Sequence, residues 1–260
     1  MSEGPETQRP MPQAHQVFAR AEAVALAADE ACSCAQNVVR LCGPASAKLW
    51  EMETDLRGAT RQATSRMVTG MVNTLLSTVG LPSPDTLANQ INQLYTATVR
   101  FERSCIIILT LGDDLRSLKA KEDLHMLLGG LLNAWDFTSQ MQRDLYFLKN
   151  ATLTYKVLDK MIGEIGKIKD FGGKAGGELT DIATSSKRSF FRVIRGKQTV
   201  EARDVNMHRS EELISSTAPR LRETLASINA LWPGLLAGIE ELKPYLEQLA
   251  ARVDVALDIK

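Results

Sequence analysis

Few residues in this chain could carry out acid–base or metal chemistry. His15, His125 and His208 are its only histidines. Glu122 and His125 form E-x-x-H, the spacing that puts a carboxylate and an imidazole on one helix face in dimetal bundles. Such a site needs a second E-x-x-H and two further glutamates, and the sequence holds no second copy. The sequence therefore predicts neither a metal site nor a resident cofactor.

Other catalytic motifs are also incomplete. Asp113 and Asp114 are adjacent, but the third carboxylate of an acidic magnesium motif is absent, so a solvated helix face explains them better. Residues 163–167 and 195–199 contain glycine and lysine without the G-x-x-x-x-G-K-[ST] spacing that directs successive amides at phosphates. No G-x-S-x-G motif occurs either. We predict that the protein is not an enzyme and has no catalytic residue.

The chain has four cysteines, Cys32, Cys34, Cys42 and Cys105. Three of them lie on one Ala-rich stretch, where helical residues two apart point about 200° from each other. The spacing is therefore not that of a CxxC metal site. Buried thiols are the simpler interpretation.

Residues 160–198 form a basic, Gly-rich segment. They contain nine Lys or Arg against four Asp or Glu, and seven of the 17 glycines. The candidate membrane or partner contacts at the end of this segment are Lys187, Arg188, Phe190, Phe191, Arg192, Arg195 and Lys197. Basic amphipathic segments with aromatic residues are typical of interfacial membrane helices and of segments that bind a partner protein. The alternative is a solvated connection between helices whose two phenylalanines dock on the bundle.

Residues 67–99 carry one formal charge, Asp85. As a helical hairpin, this stretch has two arms of about 21 to 23 Å, shorter than the hydrocarbon core of about 30 Å. The second arm also carries four amide side chains at 89–93, which are costly against lipid. We therefore predict a packed tip and no standing transmembrane helix. The candidate tip residues are Met67, Met71, Val72, Leu75, Leu76, Val79 and Leu81.

The spacing of apolar residues predicts helices along most of the chain. Aromatic residues make up 5% of the sequence and hydrophobic residues 44%, and apolar positions recur with the alternating spacing of packed helices. In the first helix these positions are mostly small: Val17, Ala21, Val24, Ala28, Ala31, Ala35 and Val38. After residue 123 they include Leu124, Leu128, Leu131, Trp135, Leu145 and Leu148.

Glycine marks most of the expected helix ends. Gly43 and Pro44 are predicted to end the first helix, and a second helix is predicted from about Ala45 to Gly80. A glycine cluster at 172–177 is predicted to end the helix that precedes it.

Three further predictions concern a helix start, a turn and the prolines of the last helix. Ser83 is a predicted N-cap, with Pro84 at the first helical position. Residues 119–123 are either a turn or a solvated helix face. Pro233 and Pro244 are predicted to kink or break the last helix.

The predicted fold class is all-α. We expect an elongated antiparallel bundle of about five to six long helices with coiled-coil-like heptad packing. Residues 1–12 are predicted to be a disordered tail, and 13–260 a single helical-bundle domain with a Gly-rich, basic connection at 172–198.

Charge balance narrows the choice of partners. Lys plus Arg equals Asp plus Glu at 31 each, so no global field favours nucleic acid or an anionic membrane, and any such attraction must be local. The basic segment and the uncharged tip predict a protein associated with an anionic membrane surface, either membrane-active or membrane-remodelling. The alternative is a cytoplasmic scaffold or adaptor that contacts a helical protein partner or itself to form a homo-oligomer.

In its expected long helices and uncharged tip the chain resembles the α-helical pore-forming toxins. The resemblance implies a soluble form that inserts its tip into a membrane after rearranging. The N-terminus has no basic start followed by an apolar run, so the expected location is cytoplasmic or peripheral at a membrane.

Overall fold

The computed structural model describes residues 14–62, 82–174 and 200–258, and these contain no strand. Their four helices are α1 (Ala14–Gln62), α2 (Pro84–Ala120), α3 (Leu124–Lys174) and α4 (Val200–Leu257). The predicted all-α class is confirmed for these ranges. The described helices number four, whereas the spacing of glycine and proline predicted about five to six.

α1 passes through Gly43 and Pro44 without a break, so the prediction that these residues end the first helix is wrong. A proline inside a helix removes one backbone hydrogen bond and costs about 3 kcal/mol. Here Cys42, Ala45 and Leu49 on either side are all buried, while Pro44 is exposed. Burial of the apolar face outweighs local propensity, and what was predicted as two helices becomes one.

α4 likewise continues through its prolines. Pro233 and Pro244, which were predicted to kink or break the helix, lie inside it and are exposed, so neither breaks it. The flanking Trp232, Leu235 and Leu242 are buried. The buried face therefore keeps its phase across both prolines.

The start of α2 and the turn before α3 are set by local polar contacts. The Thr86 amide donates to Ser83 Oγ at 3.1 Å, which confirms the predicted N-cap. Glu122 has φ 53°, a left-handed conformation that an α-helix cannot continue. Asp123 Oδ1 then accepts from the amides of His125 and Met126 at 3.0 and 3.1 Å. Residues 119–123 therefore contain a turn between two helices.

The chain divides into two compact units, each built from segments of the four helices. Unit 1 is drawn from Met1–Gly43, Thr98–Tyr146 and Gly234–Lys260, and unit 2 from Pro44–Ala97 and Phe147–Pro233. The domain limits predicted from the sequence, 1–12 and 13–260, stay a prediction.

Within unit 1, neighbouring helices run antiparallel. On α1 and α2, Lys119 Nζ donates to Glu22 at 2.7 Å, whereas Cys32 Sγ contacts the carbonyl of Ile108 at 3.8 Å. Residue numbers therefore rise on one helix as they fall on the other. The small positions of α1 expected at this contact are all buried: Val17, Ala21, Val24, Ala28, Ala31, Ala35 and Val38.

Unit 2 has its own apolar core. It includes Leu49, Met52, Leu56, Leu87, Ile91, Leu94, Leu148, Leu221, Leu225 and Ile228, all of which are buried. At its surface, Arg57 Nη2 donates to Asn89 Oδ1 at 3.0 Å, and Arg220 Nη1 lies 3.9 Å from Asp55. These polar contacts join α1 to α2 and α1 to α4.

Candidate functional site

Both sets of contact residues predicted from the sequence lie outside the described residues. The basic set from Lys187 to Lys197 falls between 174 and 200, and the tip set from Met67 to Leu81 falls between 62 and 82. Neither set is tested, and both stay predictions.

The residues considered for metal chemistry do not converge. Glu122 lies in the turn before α3, whereas His125 lies in the first turn of that helix. The E-x-x-H spacing therefore does not place the two side chains on one helix face. Asp113 is exposed and lies 3.6 Å from Arg116 on its own helix. Among residues 14–62, 82–174 and 200–258, no group of three His, Cys, Asp or Glu could hold a metal ion.

Two thiols lie in the core of unit 1. Cys42 and Cys105 are buried and free. Burial, followed by the charge of Glu102, raises the pKa of Cys42 to about 12. Burial also raises the pKa of Cys105, with smaller contributions from Cys42 and Glu102. Because the thiolate is the reactive form, these groups are protonated and unreactive at neutral pH.

A charged cluster joins α1 to α2 at the surface of unit 1. Arg116 pairs with Asp29 and lies 3.4 Å from Glu22, which also accepts from Lys119. The hydrogen bond from Lys119 is the main cause that lowers the pKa of Glu22. The cluster lies beside Gly112, where an added Cβ would overlap the Asp29 carboxylate. These residues fix how α1 meets α2 rather than forming a cleft.

A buried carboxylate joins α2 to α3. The Asp144 side chain is fully buried and accepts from Arg100 Nη2 at 2.5 Å and from Gln140 Nε2 at 3.1 Å. Arg100 Nε contributes a longer contact of 3.3 Å. This two-nitrogen contact of a guanidinium with a carboxylate is directional as well as attractive. The arrangement stabilises the pairing of α2 with α3.

In unit 1, α3 carries two rows of residues with heptad spacing. The inner row is Leu127, Leu131, Ala134, Thr138, Met141 and Leu145, and every member is buried. Each residue is followed by a member of the outer row, which is Leu128, Leu132, Trp135, Ser139, Gln142 and Tyr146. One residue corresponds to about 100° of rotation, so the two rows occupy adjacent faces of the helix.

The outer row exposes large apolar side chains to solvent. Leu132 is 53% exposed, Trp135 39% and Tyr146 69%. Exposed single apolar residues are common, but a row of them at heptad spacing is the pattern of a helix-docking surface. The outer row is the candidate functional site among the described residues.

The sequence interpretation missed this surface because it combined the two rows. Leu131 and Leu145 were assigned to the core and are buried. Leu128 and Trp135 were assigned to the same seam, but Leu128 is half-buried and Trp135 is exposed. The usable signal is a doubled pattern of adjacent leucines, at 127–128 and again at 131–132.

Comparison with known proteins yields no relative. No protein-family model matches the chain, and neither a curated protein nor a solved structure is significantly similar to it. Within the described ranges, none of the helices is both long and apolar enough to cross a membrane.

Proposed function

We propose that this chain is a non-enzymatic scaffold or adaptor that acts through helix-to-helix contacts with a protein partner or with itself. The observation that carries the proposal is the outer row of α3. A partner helix could lay its apolar face along Leu132, Trp135 and Tyr146. We further propose that the helices form an elongated antiparallel bundle with coiled-coil-like heptad packing, which is supported by the heptad spacing of the buried residues.

The proposal is tested by capture with a matched pair of variants. Leu132→Lys places a charge in the outer row, and Leu26→Lys places the same charge on α1. Leu26 and Leu132 are equally exposed, at 52% and 53%, so both changes place the new charge at a position of the same solvent exposure. We expect cross-linking followed by mass spectrometry to show one defined complex that Leu132→Lys abolishes and Leu26→Lys retains. Equal capture by both variants would contradict the proposal.

A second candidate function is supported by a different observation, the basic segment at 187–197. We propose association with an anionic membrane surface, in which Lys187, Arg188, Arg192, Arg195 and Lys197 contact lipid headgroups and Phe190 and Phe191 enter the interface. Each base near such a surface contributes about 1 kcal/mol. The uncharged tip from Met67 to Leu81 would then be the segment that inserts, as in the pore-forming toxins that the chain resembles.

The membrane proposal is tested by co-sedimentation with vesicles of phosphatidylserine and phosphatidylcholine. Replacing Arg188, Arg192 and Arg195 with Glu should abolish sedimentation, and added salt should weaken it by screening. The control replaces Arg40, Arg103 and Arg222, which are exposed bases on the described helices, and changes net charge by the same amount. Absence of wild-type sedimentation at low salt would refute the proposal, whereas dye leakage would distinguish insertion from surface binding.

A further inference from the structure

The outer row of α3 is self-complementary when two copies of the helix lie antiparallel. We propose that it docks on the outer row of a second copy of this chain, with Ser139 of one copy facing Ser139 of the other. This inference rests on the proposed adaptor function and deepens it by naming the partner.

Two apolar residues of the outer row, Leu132 and Tyr146, are placed symmetrically about Ser139. Leu132 lies seven residues before it and Tyr146 seven residues after it. In an antiparallel pair, each Leu132 therefore faces Tyr146 of the second copy, and the pair forms one apolar contact at each end. Serine is small and half-buried, so the two helices can approach each other at the centre.

The charges beside the row select the antiparallel arrangement. Asp136 and Arg143 are both exposed and lie three residues before and four residues after Ser139. An antiparallel pair places Asp136 of each copy beside Arg143 of the other, which gives two attractive contacts. A parallel pair would place this flank of the two copies on opposite sides of the contact, so neither attractive contact would form. Flanking charges of this kind set the orientation of paired helices.

The surface is also of a size that suits a reversible dimer. The helix from Leu128 to Tyr146 is about 27 Å long at 1.5 Å per residue. A single pair of helices of this length buries less than the roughly 1,600 Å² of a standard stable interface. We therefore expect a dimer that dissociates on dilution.

Charge reversal provides a direct test. Asp136→Lys places a lysine beside Arg143 of the second copy, and Arg143→Glu places a glutamate beside Asp136 of the second copy. Sedimentation equilibrium of the full chain, from about 1 to about 200 µM, should show each variant dimerising at least about tenfold more weakly than the wild type. Mixing the two variants pairs the introduced lysine with the introduced glutamate, and the retained Asp136 with the retained Arg143. The mixture should therefore restore the dimer.

Recovery on mixing distinguishes docking from damage to the fold, since two misfolded chains would not rescue each other. The controls are Asp114→Lys and Arg222→Glu, which make the same charge changes at exposed positions outside the outer row and should leave dimerisation unchanged.

Three results would overturn the inference. A wild-type dimer that neither variant weakens would show that the chain self-associates through a surface other than the outer row, and the adaptor function would not be contradicted. A wild-type monomer at about 200 µM would remove the second copy as partner, and the capture experiment with Leu132→Lys would then decide the adaptor function separately. A monomer that binds anionic vesicles, and loses that binding in Leu132→Lys, would make the outer row a lipid-binding face.

Discussion

Removing Arg100 should destabilise the protein more than removing the charge of Asp144. The reason is an asymmetry of exposure within one ion pair, because the Asp144 side chain is 0% exposed and the Arg100 side chain 45%. Arg100→Met leaves a buried carboxylate that retains only Gln140 as a side-chain donor among the described contacts. Asp144→Asn leaves a guanidinium that water can still reach.

The magnitudes follow from what each variant leaves behind. Breaking a buried ion pair from one side typically costs about 3 to 5 kcal/mol, and the half-exposed arginine places Arg100→Met near the lower value of about 3 kcal/mol. Asp144→Asn should cost about 1.5 kcal/mol, the lower value for a lost hydrogen bond to a charged group, because the guanidinium stays accessible to water. The double variant Arg100→Met/Asp144→Leu replaces both partners with apolar groups and should lie within about 1 kcal/mol of the wild type.

Urea unfolding followed by far-ultraviolet circular dichroism at pH 7 measures these differences. With a slope of about 2 kcal/mol per molar urea, Arg100→Met should lower the midpoint by about 1.5 M. Together with the single variants Arg100→Met and Asp144→Leu, the double variant gives the coupling free energy of the pair, expected to be at least about 2 kcal/mol. An Arg100→Met variant within about 1 kcal/mol of the wild type, or a double variant as unstable as the sum of the singles, would refute the reasoning.

Three more predictions concern helix packing and the thiols. Gly112→Ala should destabilise unit 1 by about 1 to 2 kcal/mol, because its Cβ would crowd the Ala25 backbone carbonyl at 3.2 Å and displace the Asp29 carboxylate from Arg116. The control is Gly129→Ala, whose Cβ meets nothing within 4 Å and which should stabilise the protein by about 0.5 to 1 kcal/mol. Equal urea midpoints for the two variants would contradict the close approach at Gly112. Pro44→Ala should raise the thermal midpoint by several degrees without loss of helical signal, as it restores a backbone hydrogen bond within α1; a lower midpoint would show that the proline is required. Cys42, with a pKa raised from 9.0 to about 12, should form roughly 10³-fold less thiolate than an ordinary thiol at pH 8. Iodoacetamide should therefore label it only in urea, and rapid labelling of the native chain would contradict its burial. The free energy of unfolding should fall as pH rises above about 9, since the unfolded chain releases the thiol proton first.

The sequence was sufficient to predict the helical class, and also the local features that depend on residues close together along the chain. Ser83 caps α2 as its position before Pro84 predicts, since the contact spans only three residues. The small residues of α1 are buried as their spacing predicts. Both predictions use information contained in one turn or one face of a helix.

Predictions failed where tertiary packing overrides a local rule. Pro44 was expected to end a helix and Pro233 to kink or break one, but both helices continue through these prolines, with buried residues on both sides. Leu128 and Trp135 were placed in the core because two adjacent heptad rows cannot be separated by spacing alone. Which row faces inward depends on the neighbouring helix, and that information is distributed over other parts of the chain.

The buried pair of Arg100 and Asp144 has a consequence for the alignment of α2 and α3. An apolar seam with a seven-residue repeat is nearly unchanged when one helix slides by one repeat along another, so apolar packing alone discriminates weakly between the two registers. A slide of this kind would leave Asp144 in the core about 10 Å from its guanidinium, at the cost of an unpaired buried charge. We therefore expect this single ion pair to select one register from several of similar apolar burial, so that replacing both partners would permit misaligned helices even though the stability of the chain is nearly retained.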